Sequence, residues 1–167
     1  MYSDVIAELA PSGILRAGIN LANIFLVTGK SEDGIPEGVS PDIARAIADR
    51  LGVKVSYVPC ETPGGTAEAI KKEACDIAMI ADEPARAEFI SFTEPYVEIE
   101  ATYIVPEGSS FQTCEDVDQS GVRIAVSGTS AYDLFLTRSL NHAELHRAEG
   151  LPAAVDLFAD EKLDALA

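Results

Sequence analysis

The sequence predicts an α/β fold with mainly parallel sheets, and three features carry that prediction. Over roughly the first 80 residues, strand-like and helix-like periodicity alternate as β-α-β-α-β, an order that implies parallel pairing through right-handed crossovers. The run DIAMIA (residues 76–81) is continuously apolar after its Asp, which suits a central parallel strand covered on both faces. From residue 109 a second unit begins, in which the strand at 122–126 enters a Gly-containing turn and then a helix.

Taken in order, residues 14–19 (ILRAGI) read as the first strand, and residues 28–38 as a hairpin or loop. Ser40 is a good N-cap, Pro41 suits the first helical position and Asp42 favours the positive end of the helix dipole. Ile43, Ile47 and Leu51 then form one apolar stripe, which Gly52 closes as a left-handed cap. Residues 53–58 (VKVSYV) are a second strand. Residues 61–66 turn into a helix reaching about Ala74, with Ala67, Ile70 and Ala74 on one face. Residues 83–96 give a short helical turn, a short strand and an X-Pro bend, and 101–108 a strand closed by Pro and Gly. Lobe 1 is therefore expected over residues 1–104, including a hinge strand, and lobe 2 over 105–167. In lobe 2, Thr113 and Asp116 form a weak capping box. Residues 122–126 are a strand, 127–130 lead into a helix with Leu134 and Leu140, Pro152 opens another helix, and 164–167 begin one more strand. No repeat of sequence and no low-complexity tract is seen.

Composition narrows the function. Twelve Lys and Arg against 28 Asp and Glu give a net charge of −16. This argues against binding a nucleic-acid backbone, which needs clustered cations. No apolar run approaches the roughly 20 residues that cross a bilayer. The N-terminal residues show neither the basic region nor the apolar stretch of a secretory signal. Cys60, Cys75 and Cys114 are too widely spaced for a disulfide framework or a CxxC metal site and read as reduced, structural thiols.

In an open parallel sheet, ligands sit beyond the carboxyl ends of the strands, where strand order reverses. That places Asn20 and Asn23 after the first strand, and Ala81 and Asp82 after the third, in candidate binding loops. Arg86 follows closely. Its fork of donors matches a carboxylate, while a surface ion pair with Asp82, Glu83 or Glu88 is the plain alternative. Gly128, Thr129 and Ser130 feed a helix N-terminus whose N–H groups and dipole attract anions, though capping alone would also explain them. His142 and His146, spaced i, i+4, could hold a metal on a helix, but no third ligand is evident and a solvated face explains them better. Tyr57, Tyr96 and Tyr103 read as core or hinge packing. No motif of a hydrolase, zinc protease, P-loop or dinucleotide fold occurs, so no catalytic residue, metal or cofactor is assigned.

Four blocks together resemble a known family: LRAGIN (15–20), GVSPDIARAIADRLGVKVSYVP (38–59), CDIAMIADEPARAEFISFTEPYV (75–97) and RIAVSGTSAYDLFL (123–136). They are similar, in order and spacing, to the family 3 extracellular solute-binding proteins, the polar amino-acid-binding subunits of ABC importers, with the periplasmic-binding-protein type 2 fold. The resemblance implies two α/β lobes that close on a ligand. It implies that Arg86 clamps the ligand α-carboxylate, with Gly128, Thr129 and Ser130 assisting, and that the Ala81 carbonyl receives the α-amino group. The family's aromatic segment after the first strand is Asn23-Ile24-Phe25-Leu26 here, a departure from its usual stacking contact. Roughly 60 further residues are expected after residue 167 by comparison with typical domain length. The second lobe and its return crossover are thus expected to be incomplete, with an exposed edge that favours a homodimer or a piece cut from a longer protein.

The function so implied is capture of a small amino acid or related carboxylate for uptake through an ABC permease, with no chemistry and no nucleic-acid partner. The resemblance places it in the periplasm; the absence of a signal leaves a cytoplasmic location open. Two alternatives stand beside it. Cyclohexadienyl dehydratases resemble these binding proteins and eliminate water and carbon dioxide from prephenate, for which Glu83 or Glu94 could supply the acid. A truncated, non-transporting sensing or interaction module is the other.

Overall fold

In the computed structural model, which describes residues 2–167, Ile14–Asn20 (β1) lies in the middle of a parallel sheet between Lys54–Cys60 (β2) and Ile77–Met79 (β3). This sheet belongs to a unit that ends at Ala81. The continuous apolar run at 76–81 therefore forms an edge strand of three residues, not the centre. β1 takes the centre because it is paired on both sides and all but two of its residues are buried.

The helices of this unit are Ser3–Leu9 (α1), Val39–Leu51 (α2) and Pro63–Lys71 (α3). The expected hairpin is present as a two-residue antiparallel pairing of Gly29–Lys30 with Pro36–Glu37. α2 starts one residue before Ser40, and its N-cap is Gly38. Gly38 has φ 131°, and a Cβ there would meet the Leu26 carbonyl at 2.6 Å, so only glycine fits. Ser40 and Pro41 lie inside the first turn and are buried. The buried stripe runs through Ala44 and Ala48, with Ile43 and Ile47 packing beside it, and Gly52 caps the helix in the left-handed conformation as expected. α3 is capped by Thr62, whose Oγ1 accepts the Gly65 N–H at 3.0 Å. It stops at Lys71, which leaves Ala74 exposed and Cys75 buried. Ala17, Ile19, Val27, Ala44 and Met79 form the core, and Ala10, just after α1, packs with Leu15 and Ala48.

The second unit runs from Asp82 to Ala167. Arg123–Ser127 (β4) is again central, parallel to Glu144–Ala148 (β5) on one side and Ala165–Leu166 (β6) on the other. Its helices are Pro84–Ala87 (α4), Ala131–Ser139 (α5) and Gly150–Asp160 (α6), with a short 3-10 turn at Glu115–Val117. Asp116 accepts the N–H groups of Gln112 and Thr113, both at 2.8 Å, which realises half of the expected capping box. The strand expected at 101–108 is a single antiparallel bridge from Ile104 to Leu166, and none forms at 90–92. The chain accordingly does not divide after residue 104. Residues 82–104 group with the second unit through that bridge and through bonds from 83–86 to residues at both ends of α5. Val117, Val122, Ile124 and Ala165 form one core cluster, and Ala125, Ala154, Leu163 and Leu166 another. Among the described residues no helix is long and apolar enough to cross a membrane.

Candidate functional site

Each sheet has its first strand in the middle and later strands on both sides, so each has a point of reversal at the carboxyl end of that strand. In the second unit this point is Ser127-Gly128-Thr129-Ser130. Ser130 caps α5, its Oγ accepting the Asp133 N–H at 3.1 Å. Asp133 answers by accepting the Thr129 N–H at 2.9 Å, a capping box displaced by one residue. The same carboxylate is buried and also receives Thr137 Oγ1 at 3.1 Å and Arg147 Nε at 2.8 Å. Thr129 is held at φ 60°, a left-handed conformation that β-branched residues seldom adopt.

The amides of this turn are not open to an anion, as the sequence suggested they would be. Gly128 N–H goes to the Ala148 carbonyl at 2.9 Å, Ser130 N–H to the Ser127 carbonyl at 3.2 Å, and Thr129 N–H to Asp133. The group the turn presents to Arg86 is a carbonyl. Arg86 Nη2 donates to the Thr129 oxygen at 3.1 Å. Arg86 itself is only 3% exposed, and burial pulls its pKa down while the charge of Glu83 pushes it up. A guanidinium nonetheless stays protonated in proteins.

Glu83 begins the same segment and is buried too. Its carboxylate accepts Arg138 Nη1 at 2.6 Å, and its backbone carbonyl accepts the N–H groups of Arg86 and Ala87 at 2.8 and 2.9 Å. Arg138, Glu83, Arg86, Thr129, Asp133 and Arg147 are thus linked, in that order, in an open chain of charges and dipoles within one unit. The sequence reading set Arg86 on a different lobe from Thr129; the structure puts both in the unit that starts at Asp82.

The remaining expected residues lie elsewhere. Asp82 is exposed. Asn20, Asn23 and Ala81 belong to the first unit, at the carboxyl ends of β1 and β3. Asn20 Oδ1 accepts Ala22 N–H and Asn23 Oδ1 accepts Phe25 N–H, each at 3.2 Å, so both side chains close local turns. Phe25 stands 71% exposed beside them. His146 is in β5 and His142 in the bend before it, so they do not share a helix face. Among the described residues no group of His, Cys, Asp and Glu could hold a metal ion. Tyr57 donates to the Pro41 carbonyl at 3.1 Å, Tyr103 packs in the second core, and Tyr96 is exposed. Cys75 is buried, which raises its thiol pKa, and all three cysteines are free.

Sequence reasoning missed Arg138, Asp133 and Arg147. The Ser130-x-x-Asp133 spacing was a usable signal for one of them. The ion pairs carry no periodicity and left none.

Against known proteins, residues 25–163 match the bacterial extracellular solute-binding proteins, family 3. A cyclohexadienyl dehydratase of Pseudomonas aeruginosa is 30% identical over 142 residues, covering 83% of this chain and 52% of that protein. The amino-acid-binding protein AabA of Dichelobacter nodosus is 25% identical over 107 residues, covering 63% and 42%. The chain therefore spans about half the length of the curated relatives it matches. Among solved structures, the ancestral amino acid-binding protein AncCDT-1, a precursor of cyclohexadienyl dehydratase, is similar with a TM-score of 0.76 and 25% identity, over 97% of this chain and 72% of that one.

Proposed function

We propose, from the premise that this chain belongs to the family 3 bacterial extracellular solute-binding proteins, that it binds a small amino acid or related carboxylate without converting it, and that Arg86 holds the carboxylate. The observation that carries this is a nearly buried guanidinium whose Nη2 donates to a neutral carbonyl, that of Thr129. A carboxylate is the stronger acceptor for such a donor, because charge on both partners shortens and strengthens the bond. The ligand then takes the place of the Thr129 oxygen, and Gly128 and Ser130 fix where that exchange happens. Asn20, Asn23, Ala81 and Asp82 are assigned ligand-facing roles from their places after β1 and β3. Delivery to an ABC permease outside the cytoplasmic membrane is the matching biological role.

Calorimetry against the common L-amino acids tests the assignment. Arg86→Ala should weaken the ligand found by about 3 kcal/mol or more, roughly a hundredfold in Kd. Retained affinity would reject the role given to Arg86.

The likeness to a cyclohexadienyl dehydratase supports a second reading, an enzyme on the same fold. The acids nominated for it are poorly placed. Glu83 is engaged as an acceptor by Arg138, and Glu94 is exposed. Incubation with prephenate, followed by absorbance, separates the readings; turnover that disappears in Glu83→Gln would establish the enzyme. A sensing or interaction module would instead show no thermal shift with any amino acid, since a true ligand raises apparent stability by mass action.

A further inference from the structure

Arg86 rides on α4, a helix of four residues. So short a helix cannot hold a direction by its own hydrogen bonds, so the aim of the guanidinium must be set from outside. Glu83 stands immediately before α4, and its carbonyl accepts the Arg86 and Ala87 N–H groups. Its side chain is 5% exposed and bound by Arg138 at 2.6 Å. Arg138 is fixed in turn: the same Nη1 donates to the Leu134 carbonyl at 3.0 Å, and the guanidinium lies over the Phe135 ring, 5.2 Å from its centre. Residues 83–86 are thus tied at both ends of α5, by Arg138 in its last turn and by Thr129 just ahead of its N-cap.

With Glu83 buried and Arg138 44% exposed, this ion pair is a weak source of stability, because desolvation of the carboxylate and solvent screening of the arginine offset most of their attraction. Orientation is the better account of this one. We propose that Glu83 and Arg138 are a positioning pair, whose bond fixes the head of α4 and so aims Arg86 at the Thr129 edge. Where the aim serves a ligand carboxylate, the inference rests on the binding reading above; the aim itself does not.

Hydrogen exchange at Arg86 Nε–H, followed by 15N NMR on the full chain and assigned with Arg86→Lys, tests the pair without any ligand. Arg138→Met keeps the apolar stem and removes the fork. It should speed exchange at Arg86 Nε by about tenfold or more, while the Ile124 backbone amide in the same sample changes less than about twofold. Equal acceleration at both sites, or at neither, overturns the proposal. If Arg138→Met does not fold, Glu83→Gln decides by the same ratio with a smaller expected change, and no change in that ratio overturns the pair. Titration with L-glutamine and L-arginine against their α-carboxamides adds the functional half. The preference for acid over amide should fall in Arg138→Met, and an unchanged preference rejects a role in carboxylate selection. A parent chain that binds none of these probes counts against the binding reading, while the exchange ratio still decides the positioning pair.

Discussion

In the first unit the middle strand carries Ala17 where it pairs with Ile77; in the second it carries Ile124 where it pairs with Ala165. The plan around these pairs is the same. Arg16 and Arg123 stand one residue earlier, and each donates its backbone N–H to an aspartate, Asp76 or Asp164, at 2.8 Å. Each aspartate returns its own N–H to the arginine carbonyl. Each guanidinium also reaches the carbonyl of a left-handed residue, Glu73 (φ 55°) or Lys162 (φ 50°), at 2.8 Å. What differs is which strand supplies the bulk. The comparison teaches that the packed object is the cross-strand pair and its summed volume, not the residue at either position. Electrostatics diverge as well. Arg16 holds Asp76 through Nη2 at 2.6 Å with the carboxylate mostly buried, whereas Arg123 and Asp164 meet at 3.6 Å with the carboxylate 39% exposed.

The largest test breaks the pair. Ile124→Ala should cost about 2–5 kcal/mol and Ala165→Ile about 1–3 kcal/mol, read from urea midpoints. The double variant, which copies the first unit's arrangement into the second, should lose clearly less than their sum; strict additivity would end the claim that volume is shared. A smaller effect is expected from Gly18→Ala. Its Cβ would meet Cys75 Sγ at 2.9 Å and Ala78 Cβ at 3.2 Å, so a cost of about 1–3 kcal/mol follows. Cys75→Ala should relieve part of it. The aligned residue in the second unit, Ala125, has room for its methyl, and Ala125→Gly should cost only about 0.5–1 kcal/mol.

The smallest contrast is in acid. Burial alone would raise the Asp76 pKa, but the hydrogen bonds and charge of Arg16 outweigh it and leave it lowered. In the second unit the Asp118 carboxyl is strongly depressed, brought to about 2 by the N–H groups of Ala143, Asn141 and His142. Both folded values lie below the ordinary carboxyl value of about 3.9. Their contribution to stability is therefore complete above that value and lost as pH falls, for Asp118 toward pH 2. Asp76→Asn should flatten the acid loss of protection at the Ala17 amide, and Asp118→Asn at the Ile124 amide, as followed by hydrogen exchange; an unaltered pH profile in either variant removes that anchor.

Parallel pairing was legible because β1 and β4 are apolar and followed by clear turn residues, but strand order was not: the apolar run at 76–81 was expected at the centre and forms an edge strand. Nor was β5 legible, since Leu145 sits between Glu144 and His146, with Arg147 following, on an edge that is half polar. The reverse error occurred at 101–108, where Tyr103, Ile104 and Val105 look like a strand but are used for packing, with a single bridge at Ile104. At the candidate site, Arg86 and Thr129 could be nominated because a turn and a helix start have local signatures. Glu83 and Arg138 could not be paired, since 55 residues separate them and charge leaves no period in the sequence.

Because the middle strand of each sheet comes first in the chain, it is made before either neighbour. β1 leaves the ribosome without a partner and stays so until residue 54, and its second flank is empty until residue 77. Such distant pairings are slow to form, and an unpaired apolar strand is meanwhile open to association with other chains. The three described strands of the first sheet, though, are all made by Met79, so they can pair while the second unit is still being translated.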